Sequence, residues 1–442
     1  MARIVAHGAV VCHPAAVPPS ARRTIVAWTL YDFANSAVAA IVVATIFPRY
    51  YAEAVVGNTA GRGDFWWGLV SSTTMILVAL TSPVLGGIAD HAGVRRPFFV
   101  GFTVVSIVAT ALLATVGPGM VGTGFVLAVT ALVGFEAAFV YYNSYLPRIA
   151  PPERLGRVSA AGFAVGYAGS LVAFLAAYPF AARGAIWACF LTTAAQFAIF
   201  SLPAFLAMPP DVRAATSLRA AMTRGARQTA ATLREIARRP EREAMRRFLV
   251  SYLVYEDGVN TVIAFAAIFA GKTLGFSFVE TIGLFIVVQI TALLGSTAWG
   301  RATDTRGPKF VVLCTLVQWT AVTVLAFFVQ EKTHFWVVAV LAGTGLGAIQ
   351  AASRAFMAAL IPPGREAEFF GFYSLVGKTG AIFGPLVFGG LSLLLAGNQR
   401  AAIVAVGSFF VVGFALLLRV RAGGPTTGAA ATEVSSTLTR AR

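Results

Sequence analysis

Twelve stretches of about 20 apolar residues divide this chain, and that pattern leaves few folds open to it. They lie near 24–47, 66–89, 97–116, 122–146, 160–180, 185–207, 248–270, 279–300, 309–329, 335–360, 371–395 and 401–420. A continuous apolar run of this length crosses a bilayer as a helix, because a helix satisfies its backbone donors and acceptors internally. A barrel would need alternation over segments of about 10 residues, and these runs do not alternate. Only 12% of the 442 residues are charged, against about 25% in a soluble domain, and the charges cluster between the runs. The predicted fold class is an all-α membrane protein with twelve transmembrane helices.

The net charge of +16 would suggest nucleic acid in a soluble chain. Here it reads as topology, and nucleic acid is not expected as a partner. With both termini in the cytoplasm, six basic residues fall in outside loops: Arg49, Arg62, Arg183, Lys272, Lys332 and Arg400. Arg354 and Lys378 fall within spans, and the other 26 of the 34 lie on the cytoplasmic side. That asymmetry obeys the positive-inside rule, and the chain is expected in the inner (plasma) membrane with both termini cytoplasmic. Cys12, Cys189 and Cys314 are scattered and the four histidines dispersed, so neither a disulfide framework nor a metal site is expected. Residues 1–23 form a cytoplasmic tail without the basic start of a signal peptide, and 421–442 form an Ala/Thr/Ser/Gly-rich tail expected to be disordered.

The chain repeats itself. Asp32-Phe33-Ala34-Asn35-Ser36 and Asp257-Gly258-Val259-Asn260-Thr261 share the pattern D-x-x-N-[S/T], 225 residues apart, each ten residues after an arginine (Arg22, Arg247). Gly86, Asp90, Gly93, Arg95 and Arg96 follow the second run, and Gly300, Asp304, Gly307 and Lys309 follow the eighth with the same glycine and aspartate spacing. Pro151-Pro152, Gly166 and Gly169 recur as Pro362-Pro363, Gly377 and Gly380, offset by 211. The domains expected are therefore a six-helix bundle over 24–207, a basic cytoplasmic linker over 208–247, and a second six-helix bundle over 248–420. Parallel six-helix repeats with a site between them are a transporter architecture. The linker carries ten arginines and four acids. Leu218, Met222, Thr229, Leu233 and Ile236 recur at helical spacing, as in a helix lying on the inner leaflet; a solvated basic linker is the alternative.

The Gly–Asp–Gly–basic loops resemble the cytoplasmic signature of the major facilitator superfamily. Within it, Trp28 to Ser36, Tyr142-Asn143-Ser144-Tyr145-Leu146-Pro147, Gly162 to Tyr167, Asp257 to Thr261 and Gln350-Ala351-Ala352-Ser353-Arg354 resemble the autophagy-related vacuolar amino-acid effluxer family and its bacterial relatives. The resemblance covers spans one to eleven. It implies the major facilitator fold, alternating access and, for part of the family, amino-acid efflux. It also implies that Asp90 and Asp304, with Arg95, Arg96, Arg306 and Lys309, gate rather than bind.

A carboxylate at bilayer depth costs roughly 3 kcal/mol or more, so each one invites a functional reading. Asp32 and Asp257 carry Asn35 and Asn260 on the same helix face, three residues on. They suit proton coupling or a substrate amine; the competing reading is a hydrogen bond that joins helices. Glu136, mid-way along span four, is the deepest acid and the first candidate for a coupling proton. Arg354 and Lys378 could hold a substrate carboxylate, or Arg354 could serve an inner gate. The 211-residue offset sets Asn143 against Arg354 and Tyr167 against Lys378, so the halves differ where an asymmetric substrate would require it. Tyr31, Tyr141, Tyr142, Tyr252 and Tyr255 are expected to line the cavity, and Trp66, Trp67, Trp187 and Trp336 to form an interfacial belt. Gly371 to Thr379 mimics a phosphate-binding loop, but it has five residues between its glycines, not four, and lies in an apolar run, so no nucleotide or other cofactor is expected.

The function expected is secondary active transport by a monomer, proton-coupled, of amino acids or similar small polar solutes, and in the efflux direction. Substrate, protons and membrane lipid are its partners. An exporter of lipophilic drugs or metabolites is the first alternative, and a non-transporting membrane sensor with this fold the second. A membrane-embedded enzyme is disfavoured by the lack of a nucleophile–base pair.

Overall fold

The computed structural model describes residues 19–91, 93–150, 155–210, 217–362 and 365–420. The expectations for both tails, for Pro151-Pro152 and Pro363, and for the side chain of Asp90 lie outside the described residues. Among those described, the chain is helical without strands, and twelve helices are long and apolar enough to cross a membrane.

The first half holds α1 (Pro19–Val38, continuing to Val56), α2 (Arg62–His91), α3 (Arg95–Leu112), α4 (Val121–Ile149), α5 (Leu155–Ala182) and α6 (Ile186–Ala207). The second half holds α8 (Glu243–Leu274), α9 (Phe278–Arg306), α10 (Pro308–Phe328), α11 (Lys332–Leu360), α12a (Glu366–Thr379), α12b (Phe383–Leu394) and α13 (Gln399–Leu418). Between them runs α7 (Leu218–Arg238). The C-terminal end of the first span is irregular: wide π turns over Ala39–Ala44 and Tyr51–Val56 flank Ile46–Tyr50. Pro48 lacks an amide hydrogen and its ring opposes the preceding turn, which breaks the regular ladder there.

The run at 371–395 is not one helix. It breaks between Thr379 and Phe383. Pro385, in the first turn of α12b, cannot donate to the turn before it. Gly384 donates its amide instead to both carboxylate oxygens of Asp257, at 2.8 and 2.9 Å.

Small residues bring the helices of each half together. Any side chain on Gly162 would collide with Asp32 and Trp28, and one on Gly166 with the Ser36 hydroxyl. In the second half Gly384 lies against Thr261 and Asp257. Gly166 and Gly384 thus rest on equivalent atoms, the motif's hydroxyl and its aspartate. This register differs from the 211-residue offset by two helical turns, because the break in α12 carries the chain further before the contact is made. The pairing of Tyr167 with Lys378 does not survive that correction.

Buried aromatic side chains fill both halves. Tyr31, Tyr141, Tyr142, Tyr252 and Tyr255 are all buried. They stack within their own halves, as in Trp28–Tyr142 at 4.4 Å between centroids and Tyr252–Tyr373 at 4.3 Å, rather than lining an open cavity. Leu80, Leu206, Phe328 and Leu394 stand outward, as lipid-facing positions do.

The linker forms a helix, yet the stripe Leu218, Met222 and Leu233 is exposed, and Ala221, Gly225, Thr232 and Ile236 are the buried positions. Gly225 sits against Pro83 and Gly87 of α2 so closely that no side chain fits on either glycine. The small-residue face is buried because α2 offers a groove only as deep as two opposed glycines allow.

Candidate substrate site and gates

The two halves are sealed at the end of α2 that carries Asp64, 23 residues and about 35 Å of helix from Gly87. Asp64 is fully buried. Within its own half it accepts from Asn58 Nδ2 at 2.7 Å. From the other half it accepts from Gln399 Nε2 at 2.8 Å, from Lys272 Nζ at 3.4 Å and from the Ser392 hydroxyl. Beside it, Arg49 of α1 holds Glu53 at 3.0 Å, reaches Thr281 of α9 at 3.2 Å and lies over the Phe278 ring at 4.4 Å. Trp67 donates to the Ala264 carbonyl at 2.9 Å and Ser72 to the Ile382 carbonyl at 2.6 Å. Trp67 is therefore a buried bridge between halves, not a belt residue; Trp187 is exposed as a belt residue would be. At the other end Asn143 and Arg354 are exposed, and Tyr167 is 38% exposed.

Deeper in, charged residues of both halves meet. Lys378 Nζ of α12a lies 2.6 Å from the Glu136 carboxylate of α4, with side-chain exposures of 33% and 10%. Sequence reasoning chose both residues and gave no sign that they touch. Glu256, one residue before the motif aspartate, is buried and accepts from Gln350 Nε2 at 2.8 Å. Lys378 and Arg354 both act electrostatically on Glu256, and Arg354 acts also on Tyr167 and Tyr373. The result is one field of two acids and two bases across the interface. Glu256 was missed because the repeat drew attention to Asp257. The available signal was the run Tyr255-Glu256-Asp257: adjacent acids point about 100° apart on a helix, so they cannot share one task.

The motif aspartates sit differently. Asp257 accepts from the Gly384 amide in the first turn of α12b, which fastens α8 to the broken helix; Thr261 donates within α8 to the Asp257 carbonyl. Asp32 is buried against Gly162. Tyr142 and Asn35 turn toward it, yet the Tyr142 hydroxyl and Asn35 Nδ2 are buried and meet no acceptor in hydrogen-bonding geometry among the described residues. Asn260 is half-buried one turn beyond Glu256.

The basic residues of the two repeated loops close the ends of helices. Arg96 donates to the Phe205 carbonyl at 2.5 Å, and Lys309 to the Leu418 and Val420 carbonyls at 3.2 and 2.6 Å. Both link the start of the third helix of a half to the end of its sixth, across 109 residues in each case. Cations there meet the carbonyl end of the helix dipole. Arg95 lies over the Tyr145 ring at 5.5 Å. Gly93 and Gly307 take positive φ, +64° and +85°, which glycine adopts without strain. Gly86 and Gly300 face open space, and Asp304 is exposed.

Similarity to known proteins follows the same lines. The family described as "Vacuole effluxer Atg22 like" matches residues 68–424. The MFS-type transporter YxiO of Bacillus subtilis (strain 168) is 28% identical over 411 residues, covering 88% of this chain and 93% of its own. Autophagy-related protein 22-1 of Neosartorya fischeri is 23% identical over 476 residues, covering 84% of this chain and 76% of its own. The crystal structure of the nucleoside transporter NupG superposes with a TM-score of 0.66 at 13% identity, covering 91% of this chain and 99% of its own. That last likeness is one of fold.

Proposed function

Since this chain belongs to the Vacuole effluxer Atg22 like family and is a membrane transporter of the major facilitator type, we propose that it exports amino acids or similar zwitterionic solutes by proton-coupled alternating access. The observation that carries this reading is the Glu136–Lys378 pair. A zwitterion brings one ammonium and one carboxylate, and it can replace each partner of an internal pair with its own opposite charge. Its ammonium takes Glu136, its carboxylate takes Lys378, and Arg354 and Glu256 bound the space beside them. A solute with a single charge would leave one buried partner uncompensated, which costs about 3–5 kcal/mol for a fully buried pair and less for one as open as this. Selection by charge type follows from that difference.

Protons enter through acids withdrawn from water. Glu256 and Asp32 lie on the first helices of the two halves, and a proton on either removes a charge that would resist drying the space around it. Asp257 in this reading fastens the α12 break. In this reading the α7 end, rich in basic residues, lies on the cytoplasmic side and the sealed Asp64 end faces outward.

A cavity of about 70 Å³, lined by Phe265, Phe269, Trp319 and Phe335, is the observation that favours lipophilic solutes. It lies inside the second half, has room for only a few carbon atoms, and meets neither acid of the interface, so the zwitterion reading stands first.

The test is counterflow in proteoliposomes preloaded with single amino acids, with and without a pH gradient. Accumulation of labelled amino acid above empty liposomes, lost in Glu136→Gln and in Lys378→Met, supports the reading. Uptake of amino acids by neither wild type nor variants, with folded protein, refutes it.

A further inference from the structure

Helix α7 has three distinct faces. Ala221 and Gly225 are packed on α2. Leu218, Met222 and Leu233 stand exposed at 45%, 38% and 54%. Arg219, Arg224, Arg227, Arg234 and Arg238 spread over the remaining arc of about 140°, at 100° per residue. None of the five has an acidic partner among the described residues, while Glu235, the one acid of the helix, is consumed by Arg242 at 3.2 Å and Arg365 at 2.9 Å. Arg219, Arg224 and Arg227 line a surface hollow of about 350 Å³ together with Ser217 and Thr223.

We propose that α7 is a docking site for anionic phospholipid, with headgroup phosphates on the arginine face and Leu218, Met222 and Leu233 entering the acyl boundary. Charge complementarity selects the occupant. Guanidinium groups bind phosphate through paired N–H donors, and the hollow adds two hydroxyls. The apolar stripe beside the arginines suits an acyl boundary, which a nucleic acid does not offer. The packing of Gly225 on α2 fixes the helix at the end of a spanning segment, the depth at which an amphipathic helix meets headgroups. Through Glu235 and Arg365 the bound lipid sits on a strap that runs from α2 to the loop before α12a.

The experiment is native mass spectrometry of the full chain in detergent, titrated with an equal mixture of phosphatidylglycerol and phosphatidylcholine. Each arginine near an anionic surface contributes roughly a fivefold preference. Arg219→Gln with Arg224→Gln and Arg227→Gln should therefore lower the phosphatidylglycerol preference on the order of a hundredfold, while Arg62→Gln, exposed at the opposite end, leaves it unchanged. The proposal is overturned if the two lipids are taken up equally by wild type, or if the triple variant keeps its preference. It is overturned too if millimolar inorganic phosphate or a single-stranded oligonucleotide displaces the lipid, since the site would then belong to a free anion or to nucleic acid.

Discussion

Substituting Asp64 by asparagine should open the sealed end. The carboxylate is buried and holds four donors: Asn58 from its own half, and Gln399, Lys272 and Ser392 from the other. An amide keeps one acceptor and turns the other into a donor, which then faces the donors it replaced. Hydrogen bonds to a charged group are worth about 1.5–3 kcal/mol and neutral ones about 0.5–1.5. Counting the two close inter-half bonds fully and the 3.4 Å contact of Lys272 at little, the sealed state loses roughly 3 kcal/mol. That is about a 150-fold change in the opening equilibrium, enough to bring a population near 1:99 to about even. Nitroxides at Thr59 and Leu394, exposed on either side of the seal, report the change by electron–electron resonance once the native cysteines are replaced. A second, longer distance should appear in Asp64→Asn and in weaker form in Ser392→Ala. An unchanged distance distribution in Asp64→Asn would refute the assignment of this network as the closure.

Four further outcomes follow from particular contacts. A double-mutant cycle on Glu136→Gln and Lys378→Met should return a coupling of about 1–3 kcal/mol in thermal unfolding, and additive losses would mean that the pair contributes nothing. Gly384→Ala should lower the melting temperature by several degrees, since the new methyl meets Thr261 and Asp257 and overpacking costs about 1–3 kcal/mol; Gly86→Ala, facing open space, should not. Lys309→Met should speed hydrogen exchange at the end of α13, where the lysine closes the last carbonyls, with no change at the end of α6. The Glu235 strap should fail in acid. Partial burial works to raise this carboxyl, but the bonds from Arg365 and Arg242 outweigh it and hold it below its ordinary 4.5. A lowered value means stability present above 4.5 and lost as the pH falls below it, so hydrogen exchange in α7 should stay flat from neutrality and rise only in that acid range.

The number of spans, their helical nature and the twofold repeat were all legible in the sequence, because each rests on local chemistry. An apolar run must satisfy its own backbone in a bilayer, and a motif copied by duplication keeps its spacing. Glu136, Lys378, Asp32 and Asp257 were legible for the same reason, since an ionisable residue in such a run is costly wherever it ends up. What they touch was decided by the tertiary structure. Lys378 reaches Glu136 across 242 residues of chain only because α4 and α12a face each other, and Asp257 became a helix fastener because Pro385 broke α12. The seal between the halves was invisible, since Arg49, Asp64 and Lys272 sit at run ends where charges are ordinary, and only burial between two halves turns them into a network that joins them. Helix α7 shows the boundary most plainly. Its periodicity fixed that it would be amphipathic, while the groove on α2, shallow enough only for Ala221 and Gly225, decided which face was buried and which stayed exposed.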